Sequence, residues 1–307
     1  MNSIALGTWA FASQIYGDVP AQDAHDTVRY ALDHGVTTFD TAPLYGSKTE
    51  DGISERILAD ALGDALDRVT ISTKFGRYMT DGAVPKFDAE RARDSVEGSL
   101  RRLRRDRIDV LFFHSPFGPH DINDDVWAEL DKLKQEGKVG QIGHSISKFE
   151  DTEAMAREWA AERKIEAVQV VYSLMNREAA SLITDLGEAG IEIYAREVMA
   201  NGFLSGRITP ETTFEAGHLN ARYSREEIEA RAAYADDLSF LIRGDITTLP
   251  QAAYRWVLDQ PGVTLALSGA RTPAELADAV RAAEAASYTA DELARADTVH
   301  TRDFEAA

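Results

Sequence analysis

The sequence predicts a single-domain α/β protein built as a closed (β/α)8 barrel. Eight short, β-rich apolar runs recur along the 307 residues, the segments between them carry helical spacing, and no Pro/Gly/Ser-rich linker interrupts the series. Near-continuously apolar strands that alternate with helices form a parallel sheet covered by helices. A doubly wound open sheet also fits that alternation. Eight βα repeats in about 300 residues favour the barrel, whose usual size is roughly 250 residues plus insertions.

In chain order the strand runs are IALGTWAF near the start, VTTFDTA (36–42), VTISTKF (69–75), IDVLFFHS (108–115), VGQIGHSI (139–146), IEAVQVVYS (165–173), IEIYARE (191–197) and VTLALSGA (263–270). After the third run, Ala92, Val96, Leu100 and Leu103 fall on one helical face, and Asp88 is placed as its N-cap. The helix before the second strand is expected to end at His34-Gly35, and the one before the fifth near Gly137. The segment 198–262 is too long for an ordinary βα connection of roughly 2 to 6 residues. Its start, VMANGFLSGRITPETTFEAGHLNARYS, reads as an active-site loop, and two helices are expected around 226–242 and 250–260.

Composition narrows the function. The formal charge of -19, from 52 acidic against 33 basic residues, opposes non-specific attraction to nucleic acid or an anionic membrane. With no cysteine, disulfides, thiolate zinc sites and cysteine nucleophiles are excluded. His120 and His218 have no partner at metal-ligand spacing, so no metal site is expected. No basic n-region precedes an apolar stretch at the N-terminus, and no run approaches 18 apolar residues, so a soluble, cytoplasmic protein acting on a small molecule is expected. No heptad or long apolar stripe suggests obligatory assembly, and the oligomeric state stays open.

In such a barrel, polar residues at the C-terminal ends of strands converge on one mouth. Asp40 ends the second strand, Tyr45 follows in its loop, Lys74 ends the third strand and His114 the fourth. Each alone has a plainer reading as an Asx-turn residue, a packed ring or a satisfied core histidine, although an unpaired buried Lys74 would be costly. Together, on successive strands, they suit carbonyl reduction. The alkoxide left by hydride addition must be protonated, and a phenol does this if its pKa is brought toward neutrality. Lys74 as a cation would lower the pKa of Tyr45, Asp40 would hold the lysine charged, and His114 would hydrogen-bond the substrate oxygen.

With FDTAPLYG, ISTKFG and LFFHSP in this order, the chain resembles the aldo-keto reductases. LGTWAF, GISERIL, GHSISKF, QVVYSLMNRE, GFLSG and SGARTPAEL extend the resemblance over essentially the whole length. It implies a catalytic tetrad of Asp40, Tyr45, Lys74 and His114, and a nicotinamide cofactor held without a Gly-rich Rossmann fingerprint. By the same resemblance Ser145 and Gln169 bond the carboxamide, although Ile146 stands where Asn is often found. Arg196 stacks on the nicotinamide or, on the plainer reading, pairs with Glu197. Gly202, Leu204 and Gly206 line the pyrophosphate through backbone amides. NADP(H) is expected, with Arg271 supplying a cation and the helix after it its N-terminal amides near 272–274. NAD(H) stays open, because Gly269 and Ala270 replace a Lys-Ser pair and Glu275 would repel a 2'-phosphate; Arg271 and Glu275 also have the spacing of an i,i+4 pair. Trp9, Phe75, Tyr78, Phe117, Met199 and Phe203 are assigned to an apolar substrate pocket. Two other functions are compatible: an NAD-dependent sugar or alcohol dehydrogenase on the same site, and a cofactor-binding regulatory subunit resembling potassium-channel β-subunits, which the intact tetrad disfavours.

Overall fold

The computed structural model describes residues 3–12 and 19–304. Its eight strands are β1 (Ile4–Gly7), β2 (Thr38–Asp40), β3 (Thr70–Phe75), β4 (Ile108–His114), β5 (Val139–Ser145), β6 (Ala167–Val171), β7 (Glu192–Arg196) and β8 (Leu265–Ser268). All neighbours are parallel, and β8 pairs back onto β1 through Ile4 and Ala266, which closes the barrel. Every predicted strand is present but shorter than its apolar run. The run at 36–42, for example, pairs only over Thr38–Asp40, because its flanks turn into the adjoining helix and loop.

The helices around the barrel are α1 (Trp9–Ala12), α2 (Ala21–Asp33), α3 (Ile53–Leu62), α4 (Ala89–Leu103), α5 (Asp125–Gln135), α6 (Phe149–Glu158), α7 (Ala180–Glu188), α8 (Arg225–Asp237), α9 (Leu249–Leu258), α10 (Pro273–Glu284) and α11 (Ala290–Val299). Asp88 caps α4 by accepting the Arg91 amide at 2.8 Å. Gly35, just after α2, takes a φ of 74°, a left-handed conformation that favours glycine. The segment between β7 and β8 supplies α8 and α9, the former continued by a short 3-10 turn over Leu238–Leu241. Sequence reading did not anticipate α11, although Thr289 and Glu292 form a reciprocal capping box at its start.

Strand side chains alternate between two environments. Ala5, Val110, Phe112, Ala167, Tyr194 and Leu267 form a small apolar cluster inside the barrel. Ile4, Leu6, Phe39, Ile71, Phe75, Phe113, Val168 and Ile193 pack outward in the main core beneath the helices. Inside, the Phe112 and Tyr194 rings meet at 5.5 Å. A Cβ on Gly143 would lie 2.5 Å from Phe112, so the glycine makes room for that ring. This apolar plug fills the barrel below the mouth, as the fold requires.

Candidate active site

On the same inward parity as the plug, toward the C-terminal ends of the strands, the side chains turn polar. Lys74 pairs in register with Phe112, Asp40 with Ser72, His114 with Ser145, and Ser145 with Gln169. The result is a connected, buried polar layer. Lys74 Nζ donates to Asp40 Oδ2 at 2.6 Å and to the Thr41 carbonyl at 2.9 Å. Asp40 Oδ1 accepts from Ser72 Oγ at 2.8 Å and from Gln169 Nε2 at 3.0 Å. An ammonium has three N–H donors, so one remains for the Tyr45 side, where the ring centroid is 4.9 Å from Nζ.

The loop after β2 holds Tyr45 in place. Its amide donates to Ala42, its carbonyl accepts from Ser54, and a Cβ on Gly46 would fall 2.1 Å from the Glu50 carbonyl. The Tyr45 ring stands edge-on to His114 at 5.7 Å and lies 6.2 Å from Trp9. The four residues assigned to the tetrad therefore share one site. Their electrostatics differ from the expectation in one respect. Burial pushes the Tyr45 phenol up, and the opposing Lys74 charge does not overcome it. Tyr45 is thus held protonated in this structure rather than drawn toward neutrality. Burial disfavours the Lys74 ammonium, but the Asp40 carboxylate outweighs it and raises the pKa. Burial, reinforced by the charges of Lys74, Arg77 and Arg196, drives His114 well below its ordinary value. The imidazole is therefore neutral, with one N–H to donate.

These groups open into a cavity of about 1500 Å³, larger than the roughly 300 to 1,000 Å³ usual for a small-molecule pocket. Asp40, Tyr45, His114, Ser145, Gln169 and Arg196 line it, and so do Gly202, Gly269, Arg271 and Glu275 further along. Arg196 Nη2 donates to the Ile146 carbonyl at 3.0 Å while Nη1 pairs with Glu197, so the plainer reading of this arginine holds alongside its place in the cavity wall. Arg271 Nη2 meets Glu275 at 2.8 Å, and its backbone amide donates to the same carboxylate at 2.9 Å. Burial raises the Glu275 carboxyl, but the Arg271 contacts prevail and hold it below its ordinary value.

The structure places several of the residues assigned from sequence away from the cavity wall. Leu204 is fully buried, and neither it nor Gly206 lines the cavity. The Gly202 and Leu204 amides both donate to the Met199 carbonyl, which satisfies them within the loop. Trp9, Phe117 and Met199 line the cavity, whereas Phe75, Tyr78 and Phe203 do not. Phe75 follows the inward Lys74 and so faces outward, 4.6 Å from Phe113. The Tyr78 hydroxyl is tied to Ser95 at 2.9 Å with Arg91 over its ring. Phe203 closes the loop underneath against Tyr223.

Sequence reading also missed Ser72, which shares the parity of Lys74 two residues later, and Arg77 in the cavity wall. Ser115 and Glu197, directly after β4 and β7, take φ of 51° and 58°. Non-glycine residues seldom adopt this conformation, and such strain gathers at functional sites. Among the described residues no cluster of three or more His, Asp or Glu could hold a metal, and no helix is long and apolar enough to cross a membrane.

A closed parallel barrel with this polar layer at its mouth defines an aldo/keto reductase: the family's model matches residues 3–300, and the chain belongs to that family. It is an oxidoreductase of a class that uses nicotinamide cofactors. Among its relatives is the aldo-keto reductase YhdN of Bacillus subtilis, 31% identical over 286 residues, which are 90% of this chain and 83% of that protein. The uncharacterised oxidoreductase Mb2320 of Mycobacterium bovis is 31% identical over 293 residues, covering 92% of this chain and 85% of the relative. The glycerol dehydrogenase AKR11B4 from Gluconobacter oxydans superposes with a TM-score of 0.79 at 29% identity, over 97% of this chain and 90% of its own.

Proposed function

We propose that this protein is an NADP(H)-dependent reductase of aldehydes or ketones in which Tyr45 donates the proton. The observation that carries the reading is the buried chain Asp40–Lys74–Tyr45, with its 2.6 Å ion pair, facing the neutral His114 across the cavity mouth. A bound reduced nicotinamide would supply the hydride, and with it both electrons, for the carbonyl carbon. The oxygen then needs a proton, which the Tyr45 O–H provides. As that proton leaves, the developing tyrosinate gains the attraction of Lys74, so the cation acts most strongly where charge appears. Asp40 keeps Lys74 charged and fixed, and the His114 N–H orients the substrate oxygen.

The residues present suit such a cofactor. Ser145 and Gln169 offer a hydroxyl and an amide at the strand ends, and Arg196 presents a planar guanidinium whose Nε is buried with no partner among the described residues. Arg207 and Arg271 both line the cavity and act by charge on Glu275, which supports acceptance of a 2'-phosphate. Gly202 lines the same cavity. Trp9, Phe117 and Met199 supply apolar surface for the substrate. The test is a panel of aldehydes, ketones and alcohols with both cofactors, followed at the nicotinamide absorbance, for wild type and Tyr45→Phe. Wild type should reduce carbonyls with NADPH preferred, and the variant should bind NADPH yet lose on the order of 10²- to 10⁴-fold in turnover. Near wild-type turnover by Tyr45→Phe removes the proton-donor role, and a preference for alcohol oxidation with NAD reassigns the direction and cofactor.

A further inference from the structure

We infer that Arg77 is a substrate-specificity residue that recognises a carboxylate, so that the preferred carbonyl substrates of this site are singly charged anions. The inference rests on the carbonyl-reductase reading and names the substrate class for it.

Arg77 follows β3 by two residues. Phe75 pairs in register with Phe113, immediately before His114, so Arg77 stands just above the level of His114 on the neighbouring strand. It lines the same cavity, and its charge is felt by His114. In an eight-stranded ring β3 lies opposite β7, so Arg77 is across the mouth from Arg196 and from the β8 end that carries Arg271. That places it on the substrate side.

The guanidinium is held rather than free to swing. Its Nε donates to the Ala83 carbonyl at 2.9 Å, and its Cζ lies 5.1 Å from the centre of the Phe117 ring. Phe117 is in turn anchored by its amide, which donates to Asp121 Oδ2 at 2.6 Å. Yet among the described residues no carboxylate is in ion-pair contact with Arg77. Asp81 is bonded to Arg91 at 2.6 Å, and Asp121 faces the Phe117 amide and His120. Both acids are near enough to act on Arg77 by charge, but burial acts more strongly and disfavours its charged form. A fixed, partly desolvated guanidinium with its terminal N–H groups outside any ion pair is suited to a bidentate carboxylate contact. One cation tempered by two neighbouring acids matches a single negative charge better than a phosphate dianion.

The experiment compares 4-carboxybenzaldehyde with its methyl ester for wild type, Arg77→Gln and Arg77→Lys. Binding of non-reducible benzoate and benzamide is followed in parallel by quenching of tryptophan fluorescence, since Trp9 lines the cavity. Wild type should prefer the carboxylate by on the order of tenfold in kcat/KM. Arg77→Gln should bring that ratio to about one through a rise in KM for the anion, and Arg77→Lys should retain part of it. If Arg77 only held the Ala83 turn, its loss would affect both aldehydes alike, and that outcome overturns the inference, as does a wild type without preference. Should neither aldehyde be reduced, the carbonyl-reductase reading fails by itself. Benzoate binding that weakens in Arg77→Gln while benzamide binding does not would still support the anion subsite, and equal effects on both would overturn it.

Discussion

Replacing Lys74 by Met should destabilise the protein by about 3 to 5 kcal/mol, and adding Asp40→Asn should restore much of the loss. The two charged groups are 1% and 4% exposed and 2.6 Å apart. At an effective dielectric of about 20 their attraction is ~6 kcal/mol, which is comparable with the several kcal/mol needed to desolvate each ion. The intact pair is therefore close to neutral for stability. Removing only the cation is different, because Asp40 stays buried with just the Ser72 and Gln169 donors. Neutralising Asp40 as well removes the stranded charge and leaves an amide that can still accept those two bonds. Urea unfolding followed by tryptophan fluorescence, at a temperature where all variants fold, gives the three free energies of the cycle. Two results would refute the reasoning: a loss below about 1 kcal/mol in Lys74→Met, which would mean that Asp40 is protonated or hydrated, or a double variant no more stable than Lys74→Met.

Two further outcomes follow from the geometry. Glu275→Gln should tighten NADPH binding by on the order of three- to tenfold, about 1 kcal/mol, with little effect on NADH, because the carboxylate that holds Arg271 at 2.8 Å would compete with a 2'-phosphate; equal effects on both cofactors in a fluorescence titration would remove Glu275 from that subsite. His144 is fully buried against Trp159 at 4.8 Å, both its ring nitrogens lack partners among the described residues, and burial lowers its pKa to about 3. The unfolded chain binds this proton below about pH 6.5 and the folded one only below about 3, so stability falls as pH drops across that window, by on the order of 4 to 5 kcal/mol in total. His144→Leu should flatten that part of the stability profile in urea unfolding at stepped pH; an unchanged acid slope would show that His144 is not its source.

The strands were legible because each is a short β-rich run whose outward residues are nearly all apolar, and the tetrad positions because polar residues at strand ends stand out against that background. The aromatic pocket was less legible, since composition says that an aromatic lies near the mouth but only parity says which way it faces. A period of two counted from an inward Lys74 turns Phe75 outward on the strand pattern alone. Tyr78 and Phe203 lie in loops where no such period operates, and their partners, Ser95 and Tyr223, are fixed by tertiary packing alone. The contact of Gln169 with Asp40 spans 129 residues across the barrel, and no local pattern encodes it. Arg77 was hidden for a related reason: a lone arginine after a strand reads as a solvated surface charge until its burial and its lack of an ion-pair partner among the described residues are seen.

The same parity explains how a fold that relies on packing can carry so much buried polarity at its mouth. Along β4 the inward positions run from Val110 through Phe112 to His114, so the change from apolar to polar occurs in one step, while on β3 Ser72 and Lys74, level with Val110 and Phe112, are both polar. Below it Phe112, Tyr194 and the space left by Gly143 make a dry floor. Above it, each member of the layer is satisfied mainly by another member: Ser72 and Gln169 by Asp40, Asp40 by Lys74, and Lys74 by the Thr41 carbonyl. A half-satisfied network in such a place would cost more than an apolar core. Of the buried groups without partners among the described residues, His114 Nδ1 and Arg196 Nε sit on residues that line the cavity, whereas Thr41 Oγ1 and both His144 nitrogens do not. The layer is thus closed toward the floor by its own hydrogen bonds, and Asp40, Tyr45, His114, Ser145 and Gln169 carry it to the cavity wall.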